Sequence, residues 1–262
     1  MFGISAKVFF DGKSAQGFLN DIQKRVDIST AIALTKTAKA IEAEIKDEMG
    51  RVFDRPTPFT LNSLYVKTAT RSSLQAEVKV KDKSFKGVPA VVWLAPQIYG
   101  GPRVEKRSEQ RLRRSGVLYP DEFAVPGSAA KLDGYGNMSR GQLQAILADM
   151  GSHWDHSQNS TPQSRNKRAS RRAVARRGVY FSPRSGSHLP RGVYERTGFS
   201  RGSSIRPVLI FVRGAPRYSK RLRFFEIGER VTAARYPREW DAAMAEGLRI
   251  AEAKARTARL AA

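Results

Sequence analysis

A chain of 262 residues with 47 Lys and Arg against 24 Asp and Glu has a formal charge of +23, more than solubility requires. It has no cysteine and three histidines, which excludes thiol nucleophiles, thiolate metal sites and disulfide scaffolds and leaves little for acid–base catalysis. The balance points to a polyanion, or to an assembly with acidic neighbours, rather than to an enzyme with a cofactor.

Forty per cent apolar residues is enough for a core, and the length suits one large domain or two small ones. Residues 3–10 read as a short strand with Asp11-Gly12 as its turn. A helical region follows to about Met49. Within it Ile28, Ala31, Ile32, Thr35, Ala38, Ile41, Ile45 and Met49 recur at steps of three and four. Arg55-Pro56-Thr57-Pro58 forbids its continuation.

Residues 63–67 and 74–81 alternate apolar and polar side chains and predict an antiparallel pair turning at Arg71-Ser72-Ser73. The run 88–95 reads as a further buried strand. Arg103 to Arg114 form a basic segment read as a short helix ending at Gly116, and 119–136 as a loop. Ser139 is a suitable N-cap for a helix to about Met150.

Residues 152–178 hold few apolar groups and are expected to have no structure of their own. Residues 178–182 and 191–195 predict strands across a Ser-Gly-rich turn, and 205–213 the strongest strand, with Pro207 at an edge or at the strand's start. Pro237 reads as the beginning of a C-terminal helix with an apolar stripe of Trp240, Met244, Leu248, Ala251 and Ala255.

The fold class expected is α+β: a long helix packed on a small antiparallel sheet, with a long basic insertion and a C-terminal helix. Strands 74–80 and 205–213 are expected in that one sheet. Residues 1–96 and 197–262 would form the core domain, and 97–196 an inserted, basic, loop-rich region with a short helix near 139–150. No apolar stretch approaches the roughly 20 residues that span a bilayer. The N-terminus lacks the features of a secretion signal, so a soluble protein without a membrane partner is expected.

Two stretches carry a resemblance. One is Leu94-Ala95-Pro96-Gln97-Ile98-Tyr99-Gly100-Gly101 with its basic helix, then Phe123-Ala124-Val125-Pro126-Gly127 and the Gly134–Gln142 phrase. The other is Leu189-Pro190-Arg191-Gly192-Val193-Tyr194-Glu195-Arg196, the strand 205–212 and Ala215-Pro216-Arg217-Tyr218. Together they resemble basic minor-tail and tail-completion proteins of tailed bacteriophages and prophages, of the minor tail protein Z kind. The resemblance implies a virion structural protein of the neck or tail, assembled in the host cytoplasm. It further implies a homo-oligomeric ring around the DNA passage, a hexamer as first expectation, with other neck and tail proteins as partners and DNA met non-specifically. The 97–195 insertion departs from that pattern.

The basic residues singled out for nucleic-acid or subunit contact are Arg103, Lys106, Arg107, Arg111, Arg113 and Arg114 in the helix. In the arm they are Arg165, Lys167, Arg168, Arg171, Arg172, Arg176 and Arg177. Arginine suits bidentate contact with phosphate or carboxylate, and without a base-reading element such contact is sequence-independent. The bland alternative for the helix is a solvated face paired with Glu105 and Glu109. The arm cannot offset an ordering cost of about 1–2 kcal/mol per residue alone, so it is expected to cross a subunit boundary.

His153-Trp154-Asp155-His156 is the one metal-like cluster, and a polar linker past a helix end is the preferred reading. Gly-x-Ser-x-Gly and phosphate-loop patterns are missing. A free, sequence-independent nucleic-acid-binding protein is the alternative function, and a metal-dependent nuclease on His153 and His156 a third.

Overall fold

A computed structural model of the protein describes residues 12–84, 87–170, 179–184, 186–199 and 202–260. The chain divides into two compact units. One gathers residues up to Phe53, Pro58–Val91 and those from Leu222 onward; the other holds Asp54–Thr57 and Val92–Arg221. The strand expected at 3–10 lies outside the described residues.

The first unit is built on two long helices, α1 (Gly12–Val52) and α7 (Phe224–Leu260). They run antiparallel, as three pairings show. Arg25 Nη1 donates to the Gly247 carbonyl at 3.3 Å, Ser29 Oγ to that of Ala243 at 3.1 Å, and Arg223 Nε to Glu48 Oε1 at 2.9 Å. The buried face of α1 carries small side chains, Ser29, Ala31, Ala33 and Ala38, before Ile45 and Met49. Small residues let the backbones approach, and Gly247 is the matching concession on α7, since a Cβ there would meet Ser29 Oγ at 3.0 Å.

The expected stripe on α1 is corrected in part. Ile28 and Ile32 are 46% and 43% exposed, because the helix buries its alanine face instead. On α7, Leu248 is likewise exposed, and Pro237 stands inside the helix rather than at its start. A proline there removes one backbone bond at about 3 kcal/mol, and packing along α1 on both sides of it holds the helix through.

Short α2 (Pro58–Leu61) leads to β1 (Leu64–Lys67) and β2 (Glu77–Val80), the antiparallel pair expected from alternation, packed on α1. Thr70 and Ser73 exchange backbone bonds of 2.9 and 3.1 Å at the turn.

The second unit centres on a four-stranded antiparallel sheet in the order β4 (Glu122–Pro126), β7 (Gly202–Arg213), β6 (Gly192–Phe199), β5 (Val179–Phe181). Its core joins Leu112, Leu118, Ile146, Leu147, Tyr180, Val193, Val208, Leu209 and Phe211. α4 (Arg107–Arg114) and α5 (Arg140–Asp149) supply the helical side, α5 starting after Ser139 as expected. The fold class is thus α+β, with a long N-terminal helix, small antiparallel sheets and a C-terminal helix.

Several expectations need correction. Residues 88–95 do not form a strand: α3 (Ala90–Tyr99) is a helix that buries Ala90, Leu94 and Ile98 at four-residue spacing. An uninterrupted apolar run fits a buried strand and a buried helix alike. Strands 74–80 and 205–213 belong to separate sheets in separate units, and 202–213 goes with the inserted unit.

Pro207 sits in an interior strand. Val193 pairs with Leu209 and Tyr194 with Pro207, so Val208 is an extra residue, and this bulge accommodates the missing N–H. The stretch 119–136 contains β4. The arm holds a 3-10 turn at His156–Gln158 and α6 (Pro162–Ser170). Small strands β3 (Gly101–Pro102) and β8 (Arg217–Tyr218) pair near where the chain enters and leaves this unit.

Candidate polyanion interface

The basic helix α4 is anchored by Glu109, which is fully buried. Its carboxylate takes Arg103 Nη1 at 2.8 Å, the Lys106 backbone N–H at 2.7 Å and that of Ala124 at 2.8 Å. Burial alone would raise the Glu109 pKa, but the Arg103 hydrogen bond and the two backbone donors outweigh it and hold the group below its ordinary value. Arg103 also lies 5.1 Å from the Phe123 ring centroid.

Arg113 is engaged too. It pairs with Glu105 and donates to the Tyr119 and Glu122 carbonyls at 3.2 and 2.8 Å. The pairing with Glu105 and Glu109 that the bland alternative expected is present for Arg113 and Arg103, but the Arg103–Glu109 pair lies inside the fold and not on a solvated face. Both hold the fold.

The other cations of α4 are differently placed. Lys106 and Arg107 are exposed at its start. Arg111 and Arg114, three residues apart on one face, border a cavity of about 90 Å³ completed by Ser115, Gly151, Ser152, His153, Trp154 and His156. No acidic side chain is among these lining residues. Arg111 Nε is buried and has no hydrogen-bond partner among the described residues. The Arg114 guanidinium stands 4.7 Å from the centroid of Trp154, which is 54% exposed. Ser115 Oγ and Ser152 Oγ, 2.6 Å apart, tie the end of α4 to the turn that carries Trp154.

That turn is itself pinned. The His153 backbone donates to Asn159 Oδ1 at 3.1 Å, and a His153 ring nitrogen lies 3.2 Å from the Gln144 carbonyl oxygen. Asp155 accepts from the Ser157 hydroxyl and backbone, which lower its pKa, and caps the 3-10 turn. His156 Nδ1 is 3.4 Å from Asn159 Nδ2. Among the described residues no three His, Cys, Asp or Glu side chains form a metal-ready group.

The cavity suits an anionic oxygen group. It offers an orphan N–H donor and a second guanidinium, with an exposed indole able to stack on a planar base. The Ser115 and Ser152 hydroxyls are taken up by each other and by the Leu112 carbonyl. Sequence reasoning named Arg111 and Arg114 but set Trp154 aside as part of a histidine cluster. Nothing in the spacing places residue 154 beside residue 114.

In the arm, Arg165 folds back on its own unit and donates from Nη1 to the Asp149 carbonyl at 3.0 Å. Lys167 and Arg168 are carried by α6. Arg171, Arg172, Arg176 and Arg177 lie outside the described residues. No described helix is long and apolar enough to cross a membrane. Comparison with protein-family models, curated proteins and solved structures finds no match to this chain.

Proposed function

We propose that the protein is a structural subunit of a tailed-phage neck or tail. Copies form a homo-oligomeric ring around the DNA passage and meet the phosphate backbone without reading sequence. One observation carries the reading: glutamates of the basic region are consumed inside the fold, while Arg111 and Arg114 stay beside a cavity with no acidic lining residue. The net charge of +23 and the sequence phrases that resemble tail-completion proteins support it.

Mass photometry and negative-stain microscopy of the purified chain, with and without duplex DNA, test it. Closed rings, with DNA binding that weakens steeply as salt rises, are expected. A monomer at every accessible concentration would remove the ring. A second reading, a free nucleic-acid-binding protein, draws on exposed Trp154, whose ring can stack on an unpaired base. Tighter binding to single-stranded than to duplex DNA by a monomer would favour it.

A further inference from the structure

The first unit carries a groove that its own described residues do not fill. Its volume is about 800 Å³, and it lies between α1, β2 and the first half of α7. Leu34, Ala38 and Ile41 contribute from α1, Val78 from β2, Ala76 from the residue before β2, and side chains between Phe224 and Tyr236 from α7. Phe225 is 48% exposed on its wall. Thr37 lines it too, is 3% exposed, and its Oγ1 has no hydrogen-bond partner among the described residues.

Among the described residues, the backbone beside this groove also lacks partners. The sheet has two strands among the described residues. The groove is lined by Val78 of β2 and by Ala76 just before it but by no residue of β1, so it lies beside the edge of β2 that β1 does not cover. The Lys81 N–H donates to the Ser63 carbonyl, which makes Lys79 and Glu77 the hydrogen-bonded partners of Tyr65 and Lys67. Antiparallel ladders alternate, so the main-chain groups of Ala76, Val78 and Val80 face away from β1. An apolar trough beside a row of unpaired N–H and C=O groups is built to receive an extended strand.

The chain contains a segment of matching character. In Met1-Phe2-Gly3-Ile4-Ser5-Ala6-Lys7-Val8-Phe9-Phe10, the residues Phe2, Ile4, Ala6, Val8 and Phe10 fall on one face of an extended strand. From Phe224 to Tyr236 the α7 wall runs about 18 Å, the length of five strand residues.

Reach decides which copy supplies the segment. Thr37 is about 37 Å along α1 from Gly12, at 1.5 Å per residue. Ala6, the middle of the segment, stands at most about 20 Å from Gly12 even when fully extended. A chain cannot lay this segment across its own groove.

We propose that residues 2–10 of one copy add as a third strand to β2 of a second copy, with their apolar face in the groove. The inference rests on the reading that the chain self-assembles, and gives that assembly its linkage. Because donor and acceptor surfaces differ, the contact is head-to-tail, which gives a ring where the rotation from copy to copy closes and an open filament where it does not.

Two variants of the full chain test it. Ile4→Asp with Val8→Asp spoils the donor face. Gly228→Trp fills the groove from a position where an added Cβ meets nothing within 4 Å. With far-ultraviolet circular dichroism confirming unchanged helix content, each variant alone should lose at least tenfold in assembled fraction by mass photometry. Mixed, they should form one-to-one pairs, since one keeps the groove and the other the segment. A synthetic peptide of residues 1–11 should bind the donor-spoiled chain and not Gly228→Trp.

Variants that keep the wild-type assembly, a mixture that stays monomeric, or a peptide that does not bind would each overturn the strand exchange while leaving assembly standing. A monomeric wild type would overturn assembly and the exchange together.

Discussion

Arg191 grips Glu122 with two parallel N–H bonds, Nε to Oε1 at 2.6 Å and Nη2 to Oε2 at 3.0 Å, and its guanidinium lies 3.6 Å from the Tyr119 ring centroid. The partners are 69 residues apart, so the pair fastens the start of β6 to the start of β4. The Tyr119 N–H donates to the same carboxylate at 2.9 Å, and Arg191 Nη2 also reaches the Val117 carbonyl at 3.1 Å. This arginine belongs to the architecture rather than to a ligand surface.

Replacing Arg191 with Met should leave Glu122 buried and unpaired, at a cost of about 3–5 kcal/mol. Arg191→Lys should recover part of that, because an ammonium keeps the charge but loses the fork and the ring stacking. Urea midpoints of the second unit would rank wild type above Lys and Lys above Met. Equal midpoints for the three would show the pair to be idle.

Acid should loosen the second unit through Glu109 and Glu122. Burial pushes each pKa up, but arginine and backbone donors more than offset it, so both lie below the ordinary 4.5. Groups with a lowered folded pKa contribute stability that is present above the unfolded value and lost as pH falls through the folded one. Stability of this unit should therefore hold above about pH 5 and decline below about pH 4.5. Glu109→Gln should flatten that decline while lowering stability at neutral pH. A variant with an unchanged acid slope would assign the transition to other groups.

The cavity beside α4 makes separable predictions for polyanion binding. Arg111→Gln and Arg114→Gln should each weaken duplex binding without changing sequence preference, and each should reduce the salt-dependence slope by about one unit. Trp154→Ala should leave the duplex slope unchanged and cost about 1–3 kcal/mol on single strands if the indole stacks on a base. Arg103→Gln is the contrasting case, since it should destabilise the fold by stranding Glu109. Fluorescence anisotropy across a salt series reads all four variants, and equal losses for Arg103 and Arg111 at matched stability would dissolve the distinction.

What was legible in the sequence followed periodicity. The long first helix, the β1–β2 pair, β5, the first half of β6 and the start of α5 after Ser139 were readable from local pattern. By contrast, β6 runs on to Phe199 beyond the expected 191–195, and the Ser139 side chain makes no capping hydrogen bond. Failures came where local pattern is silent. The apolar run at 88–95 suits a buried helix and a buried strand equally, and tertiary packing chose the helix. Pro237 looked like a boundary because its cost is local, while its compensation comes from α1, some 200 residues away in sequence. Charge was visible, but its partition was not. Which arginines hold Glu109 and Glu122, and which stand beside Trp154, depends on pairings up to 69 residues apart.

Two glycines should respond in opposite directions to the same added methyl. At Gly192, where β6 begins, a Cβ would stand 2.3 Å from the Leu209 carbonyl oxygen, and a backbone atom cannot swing aside. Gly192→Ala should push β6 away from β7 next to the Val193/Tyr194 register shift, at a cost of about 1–3 kcal/mol typical of overpacking. At Gly228, inside α7, a Cβ meets nothing within 4 Å, so Gly228→Ala should stabilise the helix by about 0.5–1 kcal/mol through reduced backbone entropy in the unfolded chain. Hydrogen exchange resolved along the chain is the suitable readout, because the two substitutions lie in different units. Protection should fall in β6 and β7 for the first and rise in α7 for the second. A Gly192→Ala chain with undiminished protection in β6 would mean that the close approach to Leu209 is not a constraint on the sheet.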